Sequence, residues 1–347
     1  MNRRPPKDGV IREKTVNTLL VDGNALFKAS INGAKNLFNR EGRHIGGVYQ
    51  FLTTLRMVLN NDIYHKVYVF WDGQFSGKLR YEIYEPYKSS RGKDFINGTH
   101  PTDPSEVYQK KQVWNYLNDM YIRQIRDEIV EGDDYIAYYC NTKKPNEKIT
   151  IVTNDRDMAQ LISNDIRIYF TDLKNYVGLS NFSEYFCYNQ KNSALMKTIT
   201  GDASDDIVGI SGVGMKTVVK LFPCVAEREV KLTEILELAR LESENRASKK
   251  LKPLKALENI LNSTTTGVQG KRIYEINDKL VNLKKPMMTD TSIKNLRKLT
   301  EGTLNGSGRD LKNVMVMMER DGMKEAIGEH RYPEYLLPFK KLIDREK

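Results

Sequence analysis

Three short apolar runs in this chain each close on an acidic residue, and that repetition restricts the fold more than any other feature. Thr15 to Val21 (TVNTLLV) is β-prone and stops at Asp22-Gly23-Asn24, after which Ala25-Leu26-Phe27 opens a helix. Lys66 to Asp72 (KVYVFWD) and Lys148 to Asp155 (KITIVTND) have the same form, and Asp165 to Phe170 (DIRIYF) predicts a fourth strand. Between them lie helical patterns. Gly47 to Leu59 carries Val48, Phe51, Leu52 and Leu55 on one stripe, and Asp133 to Cys140 carries Tyr135, Ile136 and Tyr139. Strands alternating with helices predict an α/β fold with a mostly parallel central sheet flanked by helices. In such sheets a ligand binds outside the carboxyl ends of the strands, which is where these acids fall.

Two segments break the alternation. From Gly73 to about Asp119 the chain carries Gly77, Gly92, Gly98, Pro86, Pro101 and Pro104 and a basic, aromatic stretch from Lys78 to Lys93. A loop of that length predicts a partly ordered lid or arch, with Val107 to Leu117 helical. The second segment is Ile199 to Phe222 (ITGDASDDIVGISGVGMKTVVKLF). Asp202 and Asp205 stand three apart, so a helical segment puts both on one face, where they can share a divalent cation. Ser211-Gly212-Val213-Gly214-Met215-Lys216-Thr217 follows. Its glycines predict a tight turn whose N–H groups, with the positive end of the next helix, hold a phosphate, Lys216 supplying charge. An ordinary glycine-turned hairpin with a solvated acidic face is the alternative. The pattern is helical from Phe182 through Leu261, and Arg246 to Lys255 (RASKKLKPLK) is basic without an acid, a solvated face or a nucleic-acid contact.

A chain of 347 residues holds one large or two modest domains. Lys+Arg 55 against Asp+Glu 45, a net charge of +10, favours a polyanionic partner. No apolar run approaches the ~20 residues of a membrane span. Cys140, Cys187 and Cys224 are widely spaced, which argues against a disulfide framework or zinc knuckle and fits a reducing, cytoplasmic setting. The expected organisation is a basic N-terminal arm over 1–14, an α/β core over 15–185 that includes the excursion at about 73–119, a helical region over 186–300 with the hairpin at about 199–222, and a C-terminal extension over 301–347 of unassigned role.

The candidate acids are Asp22, Asp72, Glu131, Asp133, Asp134, Asp155, Asp157, Asp202 and Asp205. Singly, each has a structural reading: Asp133 and Asp134 suit a helix N-terminus, and Asp155 and Asp157 suit a strand-end turn and a first helical turn. Packed together without compensation they repel prohibitively, so converging strand ends require cations. Hard oxygen donors without His or Cys select Mg²⁺ or Mn²⁺ over zinc. Two such ions about 4 Å apart suit phosphodiester hydrolysis, one generating hydroxide and the other steadying the leaving oxygen.

VDGN around Asp22, FWDG at Asp72, EPYKSSRG from Glu85, VEGDD ending at Asp134, TNDRDMAQLI from Thr153 and TGDASDDIVGISGVGMKT together resemble, in order and spacing, the motif series of the 5′-nuclease or flap endonuclease family. The resemblance spans roughly Leu19 to Phe222 and is strongest to the phage and bacterial branch, including phage 5′ exonucleases and phage RNase H. It implies a PIN-like 5′-nuclease fold with a helical arch and a helix-hairpin-helix-type C-terminal region. It further implies that the nine acids bind two or more Mg²⁺ ions, Mn²⁺ substituting, and that Lys88 and Arg91 meet the scissile phosphate. Arg80, Tyr87, Gly212, Gly214, Lys216 and Thr217 become DNA-contacting residues, with K⁺ a further candidate at the hairpin.

The implied activity is that of a structure-specific 5′-3′ exonuclease and flap endonuclease of replication or repair, a monomer in the cytoplasm (the host's, if phage-encoded). Its substrate is DNA with a 5′ flap or end, an RNA:DNA hybrid being a further one. Gly132 stands where many relatives have alanine, and the chain after Ala226 matches no motif residue by residue. Two alternatives remain: a non-catalytic branched-DNA binding protein, against which the complete acid set argues, and a PIN-like RNase, a type that is smaller and lacks the glycine hairpin.

Overall fold

The computed structural model describes residues 14–31, 33, 36–91, 103–263, 273–303 and 309–346. Val16–Asp22 (β1), Lys66–Asp72 (β2), Arg123–Asp127 (β3), Glu147–Thr153 (β4), Ile166–Phe170 (β5) and Asn175–Val177 (β6) form one sheet in the order β3-β2-β1-β4-β5-β6. Every pairing is parallel except that of β5 with β6. The expected α/β architecture with a mostly parallel sheet is the one the chain adopts. Burial on both faces explains the unbroken apolar runs of β1 and β2. Leu19, Val21, Val67, Val69 and Trp71 face one core with helices Gly46–Asn61 and Pro104–Asp119, whereas Leu20, Tyr68 and Phe70 face another with helix Gly132–Thr142. This alternation holds the strands in a fixed register and so aligns their carboxyl ends.

β4 ends at Thr153, two residues before the expected acid, so Asp155 instead caps the 3₁₀ turn Arg156–Leu161. β3 has the sequence RQIRD, with no apolar alternation. It is an edge strand, and the Arg123 guanidinium is taken up by the carbonyls of Leu299 and Gly302 at 2.6 and 2.7 Å. Helix Pro104–Asp119 buries Val113, Tyr116 and Leu117 against the body of the protein, while residues 92–102 of the expected arch, with Gly92, Lys93, Gly98 and Pro101, lie outside the described residues, as does most of the basic arm.

The expectation that places Asp202 and Asp205 on one helical face gives way to a different local structure. Helix Ser193–Thr200 stops at Gly201, and Gly201–Asp202 pairs antiparallel with Ile207–Val208. A Cβ on Gly201, whose φ is +69°, would lie 2.3 Å from the Ile207 carbonyl oxygen, so the crossing is open only to glycine. Asp202 caps the 3₁₀ turn Ala203–Asp205 at the tip of this hairpin, and Asp205 is its last residue.

Residues 309–346 form a layer of the core. Val314, Met318, Met323, Phe339 and Leu342 are buried in the same cluster as Phe51 and Trp71, and fully buried Asp321 accepts the Tyr116 hydroxyl at 2.8 Å. Phe339→Ala is therefore expected to destabilise the whole protein by ~3–5 kcal/mol. Tryptophan fluorescence during urea unfolding checks this, since Trp71 and Trp114 are neighbouring rings. An unchanged midpoint would show that the C-terminal helices unfold apart from the sheet.

Candidate active site

The carboxyl ends of β1 and β2 are neighbours, Asp22 lying opposite Phe70 in the register, so Asp22 and Asp72 emerge side by side. Asp22 is held by the Ala25 N–H at 2.9 Å and the Thr153 hydroxyl at 2.8 Å. Asp72 accepts the Gly132 N–H at 2.7 Å, which docks the start of helix Gly132–Thr142 on the strand end and brings Asp133 and Asp134 into its first turn. Asp155 accepts the Asp157 N–H at 2.7 Å. Burial pushes the Asp22 carboxyl up to about 7 against the Ala25 hydrogen bond, with Asp72 and Asp155 adding repulsion. Burial likewise holds Asp133 well above the usual carboxylate range, reinforced by Asp22, Asp155, Asp72 and Glu131. Asp157 is pushed up to about 7 by burial and then Asp155. The sequence-predicted acids thus share one field.

Protein cations divide them into two sets. Arg80 grips Asp134 with both terminal nitrogens, at 2.5 and 3.0 Å, and reaches Glu131 at 2.7 Å. Lys88 Nζ lies 2.5 Å from Glu131 and 3.8 Å from Asp205, and Arg91 lies 2.8 Å from Asp205. Lys197 Nζ bridges Asp157 and Asp202 at 2.5 and 2.7 Å. Burial alone would raise Glu131, but Lys88 and Arg80 outweigh it and hold this carboxyl at about 2. Among the described residues no such pair reaches Asp22, Asp72, Asp133 or Asp155. The field of Lys110 extends to Asp72 and Asp22, yet its ammonium donates to Asn24 Oδ1 at 2.6 Å.

These four aspartates suit hard divalent cations, because they are all-oxygen donors whose mutual repulsion is relieved by no ion pair among the described residues. Among the described residues no three His, Cys, Asp or Glu side chains close around a single ion as a ready-made cage.

Several predicted residues have roles inside the protein. Arg80 is buried and also donates from Nε to the Leu280 carbonyl, so it orders Glu131 and Asp134 and presents no face to a DNA backbone. Asp134, 1 % exposed, is saturated by Arg80 and the Met287 N–H at 2.9 Å, which leaves it no direct place around a metal. Tyr87 is buried, its hydroxyl donating toward Glu131 at 3.0 Å with Asp205 at 3.2 Å.

At the glycine turn the positive φ belongs to Gly212, at +72°; Gly214, at −84°, needs none and caps helix Met215–Leu221. Nothing lies within 4 Å of a Cβ built on Gly212 or Gly214, Lys216 is exposed and Thr217 half-buried. Buried Val213 anchors the turn, and Asn259 fixes it by donating to the Ser211 carbonyl at 2.7 Å. Sequence reasoning missed Lys197, Thr153 and Asn259. The signal for Lys197 was its place in the last turn of a helix that feeds directly into Asp202.

Residues 17–187 match the sequence model of the family described as 5′-3′ exonuclease, N-terminal resolvase-like domain. The 5′-3′ exonuclease of Mycoplasmopsis pulmonis is 28 % identical over 213 residues, which cover 58 % of this chain and 65 % of that protein. The thermostable DNA polymerase I of Thermus caldophilus is 26 % identical over 204 residues, covering 58 % of this chain and 23 % of the polymerase. The chain therefore spans just under two thirds of the first relative and under a quarter of the second. In three dimensions it is similar to the bacteriophage T5 D15 flap endonuclease, solved in complex with DNA and metal ions, with a TM-score of 0.53 and 17 % identity over 88 % of this chain and 99 % of that one. That likeness is one of fold. No helix among the described residues is long and apolar enough to cross a membrane.

The raised carboxyls set a pH dependence. Asp22 and Asp157 titrate near 7 in the folded protein against an ordinary 3.8, so the folded state binds these protons more tightly than the unfolded state. Their stabilising contribution is complete below about pH 4 and is lost as pH rises toward about 7. In metal-free protein the thermal midpoint is expected to rise as pH falls from about 8 to about 6, less so in Asp22→Asn. Saturating Mg²⁺ should flatten the profile by replacing protons. A midpoint that falls over that window contradicts this reading.

Proposed function

We propose, because residues 17–187 match the family model described as 5′-3′ exonuclease, N-terminal resolvase-like domain, that the chain is a structure-specific 5′ nuclease hydrolysing phosphodiester bonds with two or more Mg²⁺ ions, on DNA bearing a 5′ flap or 5′ end. Primer removal from RNA:DNA hybrids in replication or repair, action as a monomer and a K⁺ ion at the hairpin belong to the same proposal. The observation that carries it is the cluster of Asp22, Asp72, Asp133 and Asp155, to which no ion pair reaches among the described residues, with Lys88 and Arg91 held beside it on Glu131 and Asp205.

Bound there, Mg²⁺ would supply an activated water and neutralise charge on the phosphate oxygens. The protein's own groups do the rest. Asp22 is oriented by the Ala25 N–H and the Thr153 hydroxyl, and Asp72 by the Gly132 N–H, which fixes both carboxylates at the strand ends. Lys88 is a point charge and Arg91 a planar fork, and both are already within the acid cluster. A scissile phosphate entering the cluster competes with Glu131 and Asp205 for these two cations, which then stabilise the charge that grows in the transition state. The Gly212 turn, open to close approach, and exposed Lys216 suit a phosphate of the duplex at a distance from the scissile bond.

A 5′-labelled flap substrate is expected to be cut in Mg²⁺ and left intact in EDTA. Asp155→Asn should slow cleavage by at least about 100-fold while duplex binding in Ca²⁺ is retained or tightened. In the same binding assay Lys216→Ala should lower the salt slope by about one, as the loss of one phosphate contact requires. Cleavage by Asp155→Asn at the wild-type rate would refute the assignment, and flap binding with no turnover in any divalent ion would make the chain a binding protein.

A further inference from the structure

The division of the acids between protein cations and none has a consequence for how metal enters. Lys197 projects from the last turn of helix Ser193–Thr200, where the negative end of the helix favours a cation. Its side chain is 15 % exposed, and its ammonium touches Asp157 Oδ1 and Asp202 Oδ2 together, two carboxylates that lie far apart in the chain. The other Asp202 oxygen is already engaged by the Ser204 N–H at 2.9 Å and the Ser204 hydroxyl at 2.6 Å. Oδ2 is thus the oxygen left to Asp202 for a cation, and Lys197 holds it. Two cations within about 3 Å of each other repel strongly, so an ion ligated by both carboxylates and the ammonium between them exclude one another. The Asp22, Asp72, Asp133 and Asp155 half of the cluster has no such occupant among the described residues.

We infer that Lys197 is a built-in competitor for a divalent cation between Asp157 and Asp202, so that the cluster takes up its ions unequally. One ion enters the Asp22, Asp72, Asp133 and Asp155 half directly, whereas a second enters the Asp157 and Asp202 half only as the Lys197 ammonium withdraws. The inference rests on the acids being a metal site. The flexible four-carbon stem lets the ammonium leave without movement of the helix. Its withdrawal costs affinity in proportion to how much of the time the bridge is closed.

Mn²⁺ titration of the whole protein without DNA, read by the spin-resonance signal of free Mn²⁺, tests this. Wild-type protein is expected to show one tighter and one weaker class of site. Lys197→Met should tighten the weaker class by about tenfold or more and leave the tighter class within about twofold, since a bridge closed nine-tenths of the time imposes a tenfold penalty. Lys197→Arg, whose fork still spans both carboxylates, should keep the weak class weak. If Lys197→Met does not fold, Lys197→Gln, uncharged but able to donate a hydrogen bond, is measured in its place with the same expectation. Unchanged weak-class affinity in the neutral variant, or equal sites in the wild type, overturns the inference and leaves the metal site standing. Absence of Mn²⁺ uptake by wild-type protein refutes the metal site itself, and the inference with it.

Discussion

Repulsion among desolvated carboxylates at the ends of β1 and β2 is the constraint to which much of the remaining structure answers. A parallel sheet buried on both faces aligns its strand ends, and this sequence closes β1, β2 and β3 on Asp22, Asp72 and Asp127, the last taken up by the N–H groups of Ile129 and Val130 and the hydroxyls of Tyr135 and Ser292, and places Asp155 just beyond β4. The chain meets the repulsion with Arg80, Lys88, Arg91 and Lys197, which pair with Glu131, Asp134, Asp157, Asp202 and Asp205. Among the described residues no ion pair reaches Asp22, Asp72, Asp133 or Asp155. A binding surface for phosphate gains nothing from unrelieved negative charge, whereas a catalytic metal centre depends on it.

The paired half of the cluster also ties the two parts of the molecule together. Arg80, while holding Asp134, donates to the Leu280 carbonyl, and Asp134 accepts the Met287 N–H. Buried Asn277 in the same segment donates to the carbonyls of Thr198 and Val208, which lie just before and within the small hairpin that carries Asp202 and Asp205. The strap over residues 273–288 therefore fixes the hairpin relative to the sheet. Buried ion pairs of this kind contribute little net stability, and their worth lies in specifying one arrangement of the groups around them.

What was legible in the sequence follows the same physics. β1, β2 and β4 could be read because burial on both sides demands apolar runs, and the acids because each closes such a run or opens a helix. β3 could not, since an edge strand of sequence RQIRD is held by partners near residues 299–302 that no local pattern announces. The Gly201 hairpin was read as helix because its crossing depends on backbone contact between residues six to eight apart rather than on side-chain period. The nine acids can be picked out by their positions, but their division between protein cations and none is set only by the folded chain. Arg80 and Tyr87 look like surface DNA contacts in a basic, aromatic stretch, and only the folded chain turns them inward onto Glu131 and Asp134. The C-terminal helices of 311–346 were invisible as a core layer, because an amphipathic pattern does not name the surface it covers.

Divalent metal among Asp22, Asp72, Asp133 and Asp155 is the element of the proposed nuclease that crystals can show. The most direct measurement is the anomalous difference map of crystals of this protein grown with Mn²⁺. A strong peak is expected among the carboxylates of Asp22, Asp72, Asp133 and Asp155, with Asp134 still on Arg80. A map without a peak there, or with Mn²⁺ only at exposed surface acids, would contradict it.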